Sequence, residues 1–149
     1  RPPLIYGPGV KGNFSTLIKV LKLGIPLPLA SVINNRRSMV GLDNLLSMIA
    51  VCTQHPKAAN QTFLISDKND LSTYSLLRLL GASIGKPAVL FKFPVAILVL
   101  ISKLLSMEAK VQRITGTLQV DISHTCTELD WEPPFSVAQS MKRFNEDVK

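Results

Sequence analysis

Short apolar runs with strand character alternate along this chain with longer runs in which apolar residues recur every third or fourth position. Period two suits a pleated strand and period 3.6 suits a helix, so the alternation assigns the chain to the α/β class. Leu4–Tyr6 reads as the end of a short strand, closed by Gly7-Pro8-Gly9. Asn13 caps a helix through about Leu23, stopped by Gly24 and Pro26. Residues 25–35 read as a loop, Ser38–Leu42 as a short strand, and Asp43 or Asn44 as the cap of a helix to about Gln54. Gln61–Ser66 has strand composition, and Ser72 caps a helix ended by Gly85. Val89–Phe93 and Leu118–Val120 are further short strands. Helical turns fall near Glu108–Ile114, a helix leads from Ser123 to Trp131, and Ser136 caps the last helix.

The 149 residues give room for one ordinary domain, and 46% hydrophobic with 18% charged residues describes a globular chain. It opens on Arg1 and enters a strand at once, so the expectation is a piece of a longer protein. No signal peptide is expected, and no internal repeat is visible. Cys52 and Cys126 share no metal spacing, which favours a reduced, cytoplasmic setting over a disulfide scaffold. Cys52 is expected to be a small core residue. The most apolar stretch, Phe93–Ser102, is about half of what a bilayer span needs, ~20 residues. It is expected to be a buried helix starting at Pro94, with a membrane-surface helix as the alternative.

Net charge is +7, and its distribution is uneven. Residues 1–42 hold six basic residues and no acidic one, whereas the remaining 107 residues hold 11 basic and 10 acidic. A basic stretch of this kind suits an anionic ligand. Nucleic acid is disfavoured, because there is no basic run and no interleaving of basic with aromatic residues. A small polyphosphate fits isolated arginines better, and a merely solvated basic face is the alternative.

Gly7-Pro8-Gly9-Val10-Lys11-Gly12 matches the glycine pattern of a dinucleotide loop, between a strand and a helix. The acidic partner such a loop needs about 20 residues later is missing, since no Asp or Glu precedes Asp43. Pro8 also removes a backbone donor, so a tight turn is the better reading. There is no Tyr-x-x-x-Lys pair: Tyr6 has Val10 and Tyr74 has Arg78 at the fourth following position. His55 and His124 are isolated, and neither makes a metal-ligand pair. Asp67 and Asp70 flank a loop where turn or capping roles outweigh a cation site. The residues by themselves yield no catalytic or metal-ligating set.

Four segments carry a resemblance. Arg1–Gly9, "RPPLIYGPG", resembles the "RPxxVYGPG" strand and turn of extended short-chain dehydrogenases/reductases. Arg37–Leu45, "RSMVGLDNL", resembles their "R[DS]xVxVDDV" strand and helix start. Gln61–Thr73, "QTFLISDKNDLST", resembles "TFLVSDGEDLST", and Asp121–Pro134, "DISHTCTELDWEPP", resembles "DxSKxxxELGWxPP". The four occur in order and span essentially the whole chain. They resemble the C-terminal portion of the family, and most closely its NAD-dependent nucleotide-sugar epimerases, similar to UDP-glucose 4-epimerase.

The resemblance implies the C-terminal, substrate-binding part of an extended Rossmann-type epimerase. Residues 1–9 would end the Rossmann-type region, residues 10–149 would bind the nucleotide-sugar, and the NAD-binding half would be absent. By position, Pro2 passes the nicotinamide of NAD, while Pro3 and Leu4 approach the substrate. Asn13 and Phe14 match a helix N-terminus that meets the nucleotide, and Leu29 lies in the segment passing the uracil. Arg37 matches an arginine on the diphosphate, and Arg113 resembles a second. No catalytic residue is carried over, because the Tyr/Lys pair belongs before Arg1. The implied partners are a UDP-sugar or related nucleotide-sugar and, for the full-length protein, a second copy. The implied role is surface-polysaccharide biosynthesis. Leu4 replaces a common Asn, Gly41 a His or Tyr, His124 a Lys and Asp130 a Gly, and Arg113 is spaced unusually from Gly116. These departures leave open which sugar is bound, and whether the parent is an epimerase, a dehydratase, a reductase or a binding module without chemistry.

Overall fold

Leu4–Tyr6 (β1) and Met39–Gly41 (β2) pair in parallel, with Leu4 against Met39 and Tyr6 against Gly41. The computed structural model describes residues 2–9 and 13–146. They fall into two units, one from Arg1–Ser15, Ser38–Asp70 and Gln119–Lys149, the other from Thr16–Arg37 and Leu71–Leu118.

In the first unit β2 is buried along its whole length, and β1 only at Tyr6. The Asp67 N–H donates to the Met39 carbonyl at 2.8 Å, which lays the preceding extended segment beside β2. On its other approach the Val120 N–H donates to Ser38 Oγ at 2.8 Å. The core gathers Val40, Met48, Phe63, Ile65, Ile122, Leu129 and Trp131, with Cys52 and Cys126 partly buried against it. β2 runs straight into α2 (Leu42–Gln54), which leaves no turn for a side-chain cap. The cap position therefore falls on Gly41, not on Asp43 or Asn44 as the sequence suggested. Asp43 lies in the first turn, where its charge complements the helix dipole, and Asn44 is fully buried. His55 ends α2 and starts a short 3-10 turn, Pro56–Ala58.

α6 (Ser123–Leu129) ends at Asp130 in the left-handed region, φ 47°, which turns Trp131 back into the core. Trp131 Nε1 donates to Ser47 Oγ at 3.1 Å. Ser136 caps α7 (Val137–Glu146) reciprocally: its Oγ accepts from the Gln139 N–H, and Gln139 Oε1 accepts from the Ser136 N–H.

The second unit is helical. α1 (Asn13–Lys22) enters it from the first unit along the chain and ends before Gly24, φ 67°. α3 (Thr73–Ser83) is capped by Ser72, whose Oγ accepts from the Ser75 N–H at 3.1 Å, and Gly85 follows it at φ 69°. Its buried face is Leu76, Leu77, Leu80 and Gly81. α4 (Val95–Leu104) and α5 (Glu108–Thr115) pack on each other.

Three expected strands are corrected. Gln61–Ser66 is extended but forms no ladder, and Val89–Phe93 and Leu118–Val120 reduce to single bridges, Leu27 with Leu90 and Arg37 with Leu118. A strand needs a partner paired with it over consecutive residues. The Leu27 N–H donates to Val89, the Phe91 N–H to Leu27 and the Ala30 N–H to Phe91, which makes one bridge and no ladder. The helix at Pro94 forms, but it is not buried: Ser102 is its one fully buried residue. The α/β class stands, with few strands and those parallel.

Candidate functional site

The second unit places the two arginines together. The residues before Arg37 form a loop, and its backbone is pinned on both sides. Arg37 N–H and C=O exchange bonds with Leu71 at 3.0 and 3.1 Å, and the Leu118 N–H donates to the Arg36 carbonyl at 2.8 Å. That pinning aims the Arg37 side chain at the C-terminal end of α5. Arg37 Nη1 donates to the Arg113 carbonyl, and at 3.5 Å to the Gly116 carbonyl. Both acceptors lie where the helix leaves its carbonyls unpaired and its dipole is negative, so a guanidinium is favourable there. Arg37 is half-buried, and partial desolvation lowers its pKa from the ordinary arginine value. The Arg113 side chain is exposed. Among the described residues neither arginine has a carboxylate within ion-pair distance.

Beside Arg37, Asn35 and Thr73 fasten the same helix end. Asn35 Nδ2 donates to Thr73 Oγ1 at 2.9 Å and to the Ile114 and Gly116 carbonyls at 3.2 and 3.3 Å. Asn35 Oδ1 accepts from the Thr73 N–H at 3.0 Å, and Thr73 Oγ1 donates to Ile114 at 2.5 Å. Both residues are buried. Reading the sequence missed them, although Asn35 sits two residues before Arg37 and Thr73 follows the cap Ser72.

Charge divides by unit more sharply than by chain position. The second unit contains Lys19, Lys22, Arg36, Arg37, Arg78, Lys86, Lys92, Lys103, Lys110 and Arg113 against the single acid Glu108, a formal +9. The rest of the chain has seven basic and nine acidic residues, a formal −2. The near-balance of residues 43–149 is thus the sum of a basic segment in one unit and acidic segments in the other.

The remaining candidate residues divide between the two units. Pro2 is exposed, and Pro3 and Leu4 are half-buried, all in the first unit. Asn13 opens α1, and its side chain is outside the described ones. Phe14 is buried at 1% exposure, its ring 5.9 Å from that of Tyr6. Leu29 is buried in the second unit. Of the glycine motif, Gly9 makes a left-handed turn at φ 71°, and Val10–Gly12 lie outside the described residues.

Neither tyrosine is free for chemistry. Tyr6 is fully buried and donates to Asp67 Oδ2 at 2.5 Å. Burial raises its pKa far above the ordinary phenol value, and the Asp67 bond raises it further. Asp67 also accepts from the Gly41 N–H at 3.0 Å and from Asn44 Nδ2 at 2.7 Å, so it works as a structural acceptor. Asp70 accepts from Ser38 Oγ at 2.6 Å and Gln119 Nε2 at 2.7 Å. Tyr74 accepts from Arg78 Nη1 at 3.2 Å. Two shallow depressions, of about 200 and about 520 Å³, both lie in the first unit, the former by Lys68 and Asp121, the latter by Phe63 and His124. Neither is lined by a residue singled out in the sequence as a ligand contact.

No family model matches the chain. Comparison with known proteins nevertheless shows that it is similar to UDP-glucose 4-epimerase, and that its fold is similar to the C-terminal portion of extended short-chain dehydrogenase/reductase epimerases. It is 46% identical to the UDP-glucose 4-epimerase of Vibrio cholerae over 143 residues, 96% of this chain and 44% of that protein. The chain thus spans less than half the length of that relative. Among solved structures it is similar to the UDP-glucose 4-epimerase of Thermotoga maritima determined with UDP-glucose, with a TM-score of 0.67 and 17% identity over 99% of this chain and 44% of that one. It is similar too to the UDP-glucuronic acid 4-epimerase of Bacillus cereus in complex with NAD, with a TM-score of 0.67 and 18% identity over 98% and 41%. At such identities the structures speak for the fold.

Proposed function

We propose that this chain is the sugar-nucleotide-holding part of an NAD-dependent nucleotide-sugar epimerase of the UDP-glucose 4-epimerase kind. The carrying observation is the 46% identity, over nearly the whole chain, to the Vibrio cholerae UDP-glucose 4-epimerase. The setting is cytoplasmic, in surface-polysaccharide biosynthesis, and the full-length protein pairs with a second copy.

The diphosphate is the part of the ligand this chain is best equipped to hold. Arg37 is fixed at one nitrogen by the α5 carbonyls, and a guanidinium fork carries five N–H donors, which leaves others for phosphate oxygens. Arg113 adds a second, exposed cation, and the +9 charge of the unit draws the anion in. Leu29, in the same unit, takes the uracil side.

NAD supplies hydride transfer when bound, but the residues here do not suffice to hold it. Pro2, exposed and without an N–H, offers the nicotinamide only an apolar ring. Neither tyrosine is placed to act as acid or base on a sugar hydroxyl, since Tyr6 is buried on Asp67 and Tyr74 pairs with Arg78. The chain alone is expected to bind a UDP-sugar and to turn none over. Calorimetric titration of UDP-glucose, followed by assay of UDP-galactose conversion with added NAD, tests both halves. A folded chain that binds no UDP-glucose would overturn the ligand assignment, and reproducible turnover would overturn the division of labour.

A further inference from the structure

α4 is apolar on both of its sides. Val95, Leu98, Val99 and Ser102 form the half-buried to buried side, while Ile97, Leu100, Ile101 and Leu104 form a second stripe at helical spacing. That second stripe is exposed, with Leu100 at 60% and Leu104 at 79%, and Leu105 at 63% and Met107 continue it past the helix end. A helix on the surface of a globular protein ordinarily turns polar residues outward, and a contiguous exposed apolar patch marks a contact. The charges around it are mostly basic, with Glu108 the one acid beside it. Lys92 precedes the helix, Lys103 lies within it and Lys110 follows on α5, in a unit whose single acid is Glu108.

We propose that the outer face of α4 docks on a membrane surface carrying anionic phospholipid headgroups. Apolar side chains enter the headgroup–acyl boundary while flanking lysines meet the lipid phosphates, which is how an interfacial helix is held without spanning. No helix among the described residues is long and apolar enough to cross a membrane. The charge selects this occupant over a second copy. Docking two copies through this face would bring together two surfaces of formal +9 units, whereas an anionic bilayer complements them.

The test is co-sedimentation of the chain with phosphatidylcholine vesicles, with and without roughly 30% phosphatidylglycerol, at low and high salt. The chain is expected to pellet with the anionic vesicles, less so in salt and little with pure phosphatidylcholine. Leu100→Ser with Leu104→Ser, both exposed and so harmless to folding by circular dichroism, should lower the partition coefficient at least about tenfold. Leu104→Trp should show blue-shifted emission on anionic vesicles if its ring leaves water. The proposal is overturned if the wild type stays in the supernatant, or if it binds neutral and anionic vesicles alike. It is overturned too if the double variant pellets like the wild type. A lipid-free, concentration-dependent dimer that the double variant abolishes would assign the face to a second copy instead.

Discussion

Asn35 and Thr73 are joined twice, the Thr73 N–H donating to Asn35 Oδ1 at 3.0 Å and Asn35 Nδ2 donating to Thr73 Oγ1 at 2.9 Å. The pair ties the loop before Arg37 to the start of α3, and both members reach the carbonyls that end α5. Thr73 thereby receives, from another part of the unit, a bond for one of the N–H groups that a helix start leaves open. Asn35→Ala should destabilise the chain by about 2–3 kcal/mol, since it orphans a buried N–H and removes three donated bonds. Urea unfolding followed by circular dichroism measures it. A loss under about 0.5 kcal/mol would mean that the network is dispensable.

The caps at Ser72 and Ser136 were legible in the sequence because their partners are three residues away. The role of Asn44 was not, because its partners, Asp67 and Phe135, are brought to it by the fold. The strand character of Gln61–Ser66 was real, but pairing depends on a neighbour running alongside, which composition does not encode. Phe93–Ser102 misled for a related reason: an all-apolar helix reads the same whether its outer face is covered by protein or left open. Arg37 and Arg113 were singled out by resemblance, while the carbonyls that Arg37 caps follow from the path of α5.

The bond from Tyr6 to Asp67 should make stability fall in alkali. The folded-state pKa of Tyr6 is raised, chiefly by burial, so its contribution is fully present below the unfolded phenol pKa of about 10. Above that pH the unfolded chain releases a proton that the folded chain keeps. Stability from this group then falls by up to about 1.4 kcal/mol per pH unit as pH rises towards the folded pKa. Tyr6→Phe should remove this dependence and cost about 1–2 kcal/mol at neutral pH. Unfolding free energies of both proteins from pH 7 to about 11 test it, and parallel profiles would rule out Tyr6 as the source.

Gly81 sets helix propensity against packing. It lies inside α3, where alanine is intrinsically better by about 1 kcal/mol. A Cβ at this position would lie 2.7 Å from the Ala88 nitrogen and 2.8 Å from the Lys86 oxygen. These are backbone atoms, which cannot rotate away as a side chain does, so the clash outweighs the propensity gain. Gly81→Ala should lower stability by about 1–3 kcal/mol, read as a shift of the urea midpoint. A gain in stability would show that the turn after α3 yields easily.

Arg37 carries two duties that one substitution removes together. Its Nη1 caps α5 at the Arg113 and Gly116 carbonyls, and by the proposed function its remaining donors grip a diphosphate. Losing a charged donor from two helix-end carbonyls should cost about 1–3 kcal/mol of stability. Losing a bidentate grip on phosphate should weaken UDP binding roughly 10- to 150-fold. Arg37→Lys separates the duties, because an ammonium can still meet a carbonyl but cannot reproduce the fork. It should therefore recover more of the stability than of the affinity. Lys19→Ala in the same basic unit is the control for charge alone and should cost little of either. UDP is titrated into wild type and the three variants at one salt concentration, with each variant first shown to be folded by thermal melting. If folded Arg37→Ala binds UDP as the wild type does, Arg37 serves α5 alone. If Lys19→Ala weakens binding as much, the unit's overall charge, and not a positioned guanidinium, attracts the nucleotide.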